Sequence, residues 1–325
     1  MGRPLFSVLI TTYNRAGLVE RCVRSCLRQT FTDFEVLVVD DASTDGTVAA
    51  LEALGEPRLR VIRHERNRGY VPARATAVAH ARGEWVVMVD SDDELLPHAL
   101  ERLREVIERL PPGVRVIRSR LRCDDGSVEP QIMPEQPITD YEGRLRWCEA
   151  VAAARVACDA GHCMHRSVFE RTPLFSDRRG AIDTLWELNL ARAERSLWIE
   201  DVLGLVHFDA PNSYGRAALA SELVPRLLAD ARDSLWMAET LLGEHAPGLA
   251  LAPHYRRDLI ESAALQSFLL GERRRGIRHA LSALRAGPPR RRVLAVLALG
   301  LIGPRPLAYA KAASRTARAR LGRGP

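Results

Sequence analysis

The stretch GEWVVMVDSDDELL, residues 83–96, decides the fold, because a short apolar run passes directly into Asp90, Ser91, Asp92 and Asp93. An apolar run of this length, bounded by glycine and by acidic residues, is typical of a strand that is buried on both faces of a sheet. Three neighbouring carboxylates raise each other's proton affinity unless a cation or dense hydrogen bonding offsets their repulsion. Two interpretations stay open here: a site for a hard divalent cation, or the capped entry of a helix.

Short apolar runs alternate with amphipathic segments through the first part of the chain. Strands are predicted at residues 6–10, 35–39, 59–63, 85–89 and 114–118. Helical spacing predicts helices at residues 16–29, 44–54, 70–82 and 97–109, with Ser43 as a cap and Pro97 at a first helical position. Strands that alternate with helices indicate an α/β fold, in which a mostly parallel sheet is flanked by helices.

Polar side chains follow three of these strands. Strand 6–10 runs into TTYN, strand 35–39 into Asp40 and Asp41, and strand 85–89 into the acidic cluster. Ligands of such sheets bind beyond the carboxyl ends of the strands, so the three ends predict one binding rim and favour a site over a helix cap. An aspartate can accept a hydrogen bond from an N–H of a nucleobase, and Tyr13 can pack on the ring of the base. Mg²⁺ or Mn²⁺ held by carboxylates can neutralise a diphosphate, so the rim suits a nucleoside diphosphate.

Charge is distributed unevenly along the 325 residues, which have a formal net charge of +6. From Arg273 to the end there are 14 Lys or Arg residues and no Asp or Glu. We predict a first domain over residues 1–216 and a helical, basic region over residues 217–325. The apolar run Val293–Ile302 has about half the length of a membrane-spanning helix, so it is either an interfacial segment attracted to anionic lipid or a buried terminal helix.

The remaining features bear on compartment and on other ligands. Six cysteines in a chain of this size predict reduced thiols and a cytoplasmic protein, peripheral on the inner face of the plasma membrane if the basic region binds lipid. Nucleic acid is not predicted as a partner, because the basic region lacks interleaved aromatic residues apart from Tyr309. The stretch CDAGHCMH, residues 158–165, lacks a C-x-x-C pair and a second half-site, so no zinc site is predicted there.

Four stretches carry a resemblance to a known family. SVLITTYNR, QTFTDFEVLVVDDASTDGT and NRGYVPARATAVAHARGEWVVMVDSDD, in this order, and more loosely IDTLWELNLAR, resemble the family-2 glycosyltransferases with the GT-A fold over roughly the first 215 residues. The resemblance implies an inverting transferase that uses a nucleoside diphosphate sugar and Mn²⁺ or Mg²⁺. Its implied acceptor is a hydroxyl of a glycan or lipid-linked molecule in bacterial surface polysaccharide biosynthesis.

The resemblance also implies roles for individual residues. The implied contacts to the nucleotide sugar are Thr11, Tyr13, Asn14, Asp41, Arg74, Asp90 and Ser91. Asp90-Ser91-Asp92 is similar to the family's D-x-D motif, which makes Asp92 the implied metal ligand together with Asp90. His207 is a further candidate at the metal or diphosphate, with a structural role on its strand left open. Asp183 matches the general base, and the alternative is a helix cap or a solvated helix residue.

Two other functions were weighed from the sequence. A nucleotidyltransferase that makes the activated sugar resembles a glycine-rich first loop with basic residues at the phosphates, of which TTYNRAG offers little. A catalytically silent protein would bind nucleotide sugar or scaffold a membrane glycan assembly. The presence of Asp90, Asp92 and Asp183 favours the enzyme.

Overall fold

The computed structural model describes residues 2–154, 160–175, 177–178, 183–208, 220–288, 290–308 and 310–312. The chain divides into two compact units. The first, here called the sheet unit, comprises Met1–Gly143, Cys158–Arg179 and Trp186–Ala210. The second, the helical unit, comprises Arg144–Ala157, Gly180–Leu185 and Pro211–Pro325. The domain boundary predicted after residue 216 lies outside the described residues.

The described part of the sheet unit contains one sheet of ten strands. In chain order the strands are β1 (Phe6–Thr12), β2 (Phe34–Asp40), β3 (Leu59–Arg63), β4 (Trp85–Asp90), β5 (Glu94–Leu95), β6 (Val114–Cys123), β7 (Val128–Glu129), β8 (Ile138–Thr139), β9 (Gly161–His165) and β10 (Arg195–Val206). Their order across the sheet is β3-β2-β1-β4-β9-β6-β10-β5, with β7 paired to β6 and β8 paired to β10.

The sheet has a parallel half and a mixed half. Strands β1 to β4 pair in parallel, as the alternation of strands and helices predicts. Strand β9 then pairs antiparallel with both β4 and β6, and β6 pairs in parallel with β10. Strand β9 falls in the Cys- and His-containing stretch, where no strand was predicted. Among the described residues of that stretch, His162, Cys163 and His165 are therefore sheet residues.

Strands β1, β2 and β4 are mostly buried and largely apolar, because both faces of the sheet are covered there. The edge strand β3 is only partly buried and contains Arg60 and Arg63. Alternate residues point to opposite faces of a strand, so Val36 and Val38 join one apolar cluster while Leu37 and Val39 join another. On the first face the helix side chains come from Ala16–Leu27, Thr47–Glu52 and Ala99–Ile107. On the second face they come from Tyr70–His80 and Val168–Arg171, and from Trp186 and Leu190.

The helices are α1 (Ala16–Leu27), α2 (Thr47–Glu52), α3 (Tyr70–His80), α4 (Ala99–Ile107), α5 (Tyr141–Ala154), α6 (Val168–Arg171), α7 (Asp183–Ala193), α8 (Ala220–Glu244), α9 (Pro253–Leu269), α10 (Arg273–Arg285) and α11 (Arg291–Ile302). Two predicted helix starts are wrong. Ser43 does not cap α2, which begins at Thr47, because its hydroxyl accepts a hydrogen bond from the backbone of Asn14 instead. Helix α4 begins at Ala99, beyond Pro97.

A buried carboxylate ties the amino ends of β1 and β2 to the loop before β4. Glu35 accepts hydrogen bonds from the hydroxyl of Ser7 and the backbone N–H of Arg82, and Arg60 lies 2.7 Å from its other oxygen. Burial raises the pKa of Glu35, but these hydrogen bonds outweigh it, so the pKa lies below its ordinary value. The ionised side chain therefore stabilises this end of the sheet.

Helix α9 lies at the centre of the core of the helical unit, since α8, α10 and α11 all pack against it. The buried ring of Phe268 on α9 lies where a Cβ on either Gly276 of α10 or Gly300 of α11 would collide with it. Glycine at both positions lets α10 and α11 close on this ring. Within the described residues, none of the helices combines the length and apolar character needed to cross a membrane.

Candidate active site

The carboxyl ends of three parallel strands lie side by side in the sheet unit. Thr11 on β1 is in register with Asp90 on β4, and Thr12 is in register with Asp40 on β2. The loops that follow these strands therefore begin at the same edge of the sheet. The structure thus brings together the residues that the sequence placed at three separate strand ends.

The loop after β1 is joined to the loop after β2 by hydrogen bonds. Asn14 adopts a left-handed backbone conformation with φ of 52°, which suits asparagine better than most residues. Its backbone N–H donates to the Ser43 hydroxyl, and its side-chain oxygen accepts from the backbone N–H of Thr44, both at 2.8 Å. Tyr13 precedes it and is 40% exposed. Asn14 therefore holds the two loops together, while the ring of Tyr13 is open to a ligand.

The carboxylate of Asp41 is 3% exposed and has several partners within the protein. It accepts hydrogen bonds from the backbone N–H groups of Arg68 and Gly69, and Oδ1 lies 2.7 Å from Nδ1 of His64. On the far side of the imidazole, Nε2 lies 3.0 Å from the hydroxyl of Thr76. Asp41 therefore shapes the loop that leads into α3, and its predicted contact with a base stays a prediction. Sequence reasoning missed His64, which carries no motif of its own.

Two arginines hold the carboxylates of the D-x-D-like segment. Arg15 lies 2.7 Å from Oδ1 of Asp92 and donates to the hydroxyl of Ser91 at 3.1 Å. Arg74 donates to Oδ1 of Asp90 at 2.8 Å. Sequence reasoning missed Arg15, although it lies in the stretch SVLITTYNR. The predicted site residue Arg74 does lie beside Asp90.

The two carboxylates differ in environment. The side chain of Asp90 is largely exposed, whereas Asp92 is buried with 8% exposure. Burial, together with the charge of Asp90, raises the pKa of Asp92, and Arg15 partly offsets that increase. A buried carboxylate beside a second carboxylate is stabilised by added positive charge. The segment is therefore a place where a cation would be favourable.

The donor atoms of this segment fit a hard divalent cation. The guanidinium groups of Arg74 and Arg15 contact Oδ1 of Asp90 and Oδ1 of Asp92. Carboxylate oxygens are the preferred ligands of Mg²⁺ and Mn²⁺. The part of the chain that the structure describes has no preformed group of three or more His, Cys, Asp or Glu side chains for a metal. Asp90 and Asp92 are the candidate ligands of this segment.

His207 follows β10 and lies between two other carboxylates. Its Nε2 is 2.8 Å from Glu94, its Nδ1 is 2.7 Å from Asp124, and its backbone N–H donates to Asp93 at 3.0 Å. Both ring nitrogens are engaged by groups other than Asp90 and Asp92. Among the described residues, the structure does not group His207 with the D-x-D-like pair as a set of three metal ligands. Its contacts join the end of β10 to β5 and to the turn after β6.

Asp183 is the first residue of α7 and is exposed. A carboxylate in the first turn of a helix is stabilised by the helix dipole, so the structural alternative remains compatible with this position. Asp183 belongs to the segment Gly180–Leu185 of the helical unit, and its role as a base stays a prediction. Glu187, on the same helix, forms an ion pair with the buried Arg118.

Comparisons with known proteins identify the family of this chain. The model of glycosyl transferase family 2 matches residues 7–172, about half of the chain. The succinoglycan biosynthesis protein ExoO of Rhizobium meliloti is 42% identical over 106 residues, which are 33% of this chain and 30% of ExoO. The uncharacterized glycosyltransferase EpsJ of Bacillus subtilis is 30% identical over 217 residues, which are 65% of this chain and 62% of EpsJ.

A solved structure resembles the chain over nearly its whole length. The S. aureus protein TarS 1-349, crystallised in complex with UDP-GlcNAc, matches with a TM-score of 0.63 and 20% identity over 98% of this chain and 92% of that chain. The likeness confirms the predicted fold class, a GT-A type sheet flanked by helices with a helical C-terminal part. In sequence, the match spans less than two thirds of the length of ExoO and of EpsJ.

Proposed function

The chain belongs to glycosyl transferase family 2, whose model matches residues 7–172, and we therefore propose that it transfers a sugar from a nucleoside diphosphate sugar to a hydroxyl group. The acceptor is a glycan or a lipid-linked molecule of bacterial surface polysaccharide biosynthesis. ExoO, with which the chain shares 42% identity over 106 residues, is described as a protein of succinoglycan biosynthesis, which supports this class of product. The complex of TarS with UDP-GlcNAc supports a nucleotide-activated sugar as the donor.

One observation carries the proposal. Thr11, Asp40 and Asp90 lie at neighbouring strand ends, at the edge of the sheet where α/β proteins of this type bind ligands. All three lie within the part of the chain that matches the family. The exposed ring of Tyr13 and the guanidinium groups of Arg15 and Arg74 surround this edge with groups suited to a base and to phosphates.

Asp90 and Asp92 would hold the divalent cation through their carboxylate oxygens. A cation bound there supplies positive charge against the negative charge that develops on the departing diphosphate. Arg15 keeps Asp92 in place by its ion pair and also contacts Ser91. Arg74, paired with the exposed Asp90, can turn a second N–H toward a phosphate oxygen, because guanidinium presents several donors in one plane.

Asp183 is proposed as the general base that takes the proton of the acceptor hydroxyl. Its exposed carboxylate at the start of α7 is accessible to a large acceptor and can accept a proton. Glu187 is less suited, because the buried Arg118 already engages its carboxylate. Direct displacement of the diphosphate by the acceptor oxygen inverts the anomeric centre and needs no covalent enzyme intermediate.

The proposal is tested by binding and transfer measurements on the full chain. Thermal shift is first measured with a panel of nucleoside diphosphate sugars, with and without Mn²⁺, and radiolabelled sugar transfer is then followed for those that bind. Asp92→Ala is expected to abolish the Mn²⁺-dependent part of the shift, whereas the control Glu108→Ala, an exposed carboxylate directly after α4, leaves it unchanged. Unchanged Mn²⁺ dependence in Asp92→Ala overturns the metal assignment. Donor binding without transfer to any acceptor supports the catalytically silent alternative.

A further inference from the structure

Helix α11 has one buried face and one exposed face. Val293, Val296 and Gly300 point into the core of the helical unit. The opposite face, here called the outer face of α11, consists of residues 291, 294, 295, 298, 301 and 302, which are all exposed. Their spacing of three or four residues places them on one side of the helix. The prediction of a buried terminal helix therefore applies to the inner face, and the alternative prediction of an interfacial segment concerns only the outer face.

The outer face is apolar along its middle. Leu294 and Leu301 are each 50% exposed and Ile302 is 67% exposed, and they are among the most exposed large apolar residues of the described chain. Ala295 and Ala298 lie between them. Single exposed leucines are ordinary, but an aligned row on one helix face indicates a surface that is covered in use.

Arginines lie at both ends of this row. Arg291 and Arg292 are exposed at the start of α11, and Arg305 is exposed just beyond its end. Within the described residues, none of the three forms an ion pair, whereas the neighbouring Arg290 pairs with Asp258 and Glu261 of α9. Cations in the first turn are disfavoured by the helix dipole, so this placement does not serve helix stability. Exposed arginines at both ends of the apolar row are suited to contact an external anionic surface.

As far as the structure describes the chain, helix α10 also combines arginines without ion pairs and an exposed leucine. Arg273, Arg274, Arg275 and Arg278 line an open cavity of about 640 Å³ together with Glu239 and Glu272. Arg275 pairs with both of those carboxylates, and in the described part of the chain the other three arginines have no ion pair. Leu281, one turn further along α10, is 45% exposed. From Arg273 onward the sequence contains no Asp or Glu that would repel an anionic partner.

We propose that the outer face of α11 docks on the surface of an anionic lipid bilayer. Leu294, Leu301 and Ile302 enter the boundary between headgroups and acyl chains, and the flanking arginines contact lipid phosphates. A second copy of the chain fits less well, because a symmetric contact through this face would bring the arginines of one copy against those of the other. Nucleic acid would satisfy the arginines but not the exposed aliphatic side chains. The twelve residues of α11 lie along the surface, since a spanning helix needs about 20.

Vesicle flotation of the full chain tests the proposal, with phosphatidylcholine vesicles that contain or lack phosphatidylglycerol. Leu301→Asp/Ile302→Asp removes the apolar contact and is expected to weaken binding at least about tenfold. Its control is Leu251→Asp, an exposed leucine elsewhere in the helical unit. Arg291→Glu/Arg292→Glu is expected to weaken binding by at least about fivefold for each arginine lost. Its control, Arg28→Glu/Arg109→Glu, changes net charge equally at exposed positions of the sheet unit.

Binding to the anionic vesicles alone, weakened by both α11 variants and unchanged in both controls, supports the proposal. Equal binding to neutral vesicles, no binding to either, or equal losses in the control variants overturns it. Retention on DNA without vesicle binding assigns the basic surface to nucleic acid instead. A concentration-dependent dimer that is lost in Leu301→Asp/Ile302→Asp assigns the outer face to a second copy. Circular dichroism and melting temperature of each variant separate a loss of binding from a loss of folding.

Discussion

Replacing Gly300 by alanine places a methyl group where the ring of Phe268 already lies. The new Cβ would stand 2.6 and 2.7 Å from Cδ1 and Cδ2 of the ring, whereas carbon atoms in ordinary contact lie about 3.5–4.0 Å apart. Phe268 is 1% exposed, so the ring has no open space into which it can move. Overpacking of this kind costs about 1–3 kcal/mol, and alanine recovers up to about 1 kcal/mol in helix propensity. We expect a net loss of about 1–2 kcal/mol.

Two further alanine variants calibrate this value. At Gly276 the Cβ would lie 2.8 to 2.9 Å from the same ring, so Gly276→Ala should destabilise the protein less than Gly300→Ala. At Gly243, near the end of α8, nothing lies within 4 Å of the new methyl group, and Gly243→Ala should be neutral or stabilising by up to about 1 kcal/mol. The expected destabilisation by alanine therefore decreases in the order Gly300, Gly276, Gly243, as the distance from the new Cβ to its nearest neighbour increases.

The assay is hydrogen exchange read by mass spectrometry, because it reports the stability of the helical unit by itself. Peptides from α9 and α11 should lose protection in Gly300→Ala while peptides from β1 and β2 keep it. Phe268→Leu should remove most of the Gly300→Ala penalty in a double-mutant cycle, because a smaller side chain leaves space for the methyl group. Equal protection in Gly300→Ala and Gly243→Ala would refute the packing of α11 on the Phe268 ring.

Two further predictions concern the sheet unit and the proposed chemistry. Glu35→Gln should lower the free energy of unfolding by about 2 kcal/mol at neutral pH, since hydrogen bonds to a charged group contribute about 1.5–3 kcal/mol each and glutamine retains part of them. Because folding lowers the pKa of Glu35, its contribution to stability is fully present above the ordinary glutamate pKa and is lost as the pH falls through the folded-state pKa. The free energies of unfolding of variant and parent, measured by urea unfolding at a series of pH values, should therefore become equal in acid. Glu20→Gln, which breaks an exposed pair with Arg24, is the control and should cost about 0.5 kcal/mol or less. Asp183→Asn should reduce sugar transfer by about 10²–10⁴ with unchanged donor affinity in a radiolabel assay, and near parental turnover would identify Asp183 as a structural residue of α7.

The parallel half of the sheet and its rim were predictable because they depend on local pattern. Strands β1 to β4 were predicted within a few residues, since the three strands β1, β2 and β4 are mostly buried and form largely apolar runs. Polar residues directly after those runs then had to meet at one edge, as the register of Thr11 with Asp90 shows. The family was likewise identified from motifs in this region, and the matched residues confirm it.

Contacts between distant parts of the chain were not predictable in the same way. Strand β9 inserts between β4 and β6 although its sequence, GHCMH, alternates no more clearly than a loop, because its apolar residues only acquire a buried face from the strands on either side. His64 carries no motif of its own, and the contacts of His64 and Arg15 depend on partners 23 and 77 residues away along the chain, Asp41 and Asp92 respectively. Such pairs are chosen by the folded backbone, which brings their side chains within reach.

The sequence by itself determined the α/β alternation, the acidic rim and the concentration of positive charge after Arg273, because hydrophobic period and charge are properties of neighbouring residues. Only the tertiary structure decided which side chains are buried and which groups they contact. It paired the buried Asp92 with Arg15, brought Asp41 into contact with His64 and the loop before α3, and turned one side of α11 into the core and the other outward. The physical reason is that burial and electrostatic partners depend on how the elements pack together, which no stretch of the sequence contains alone.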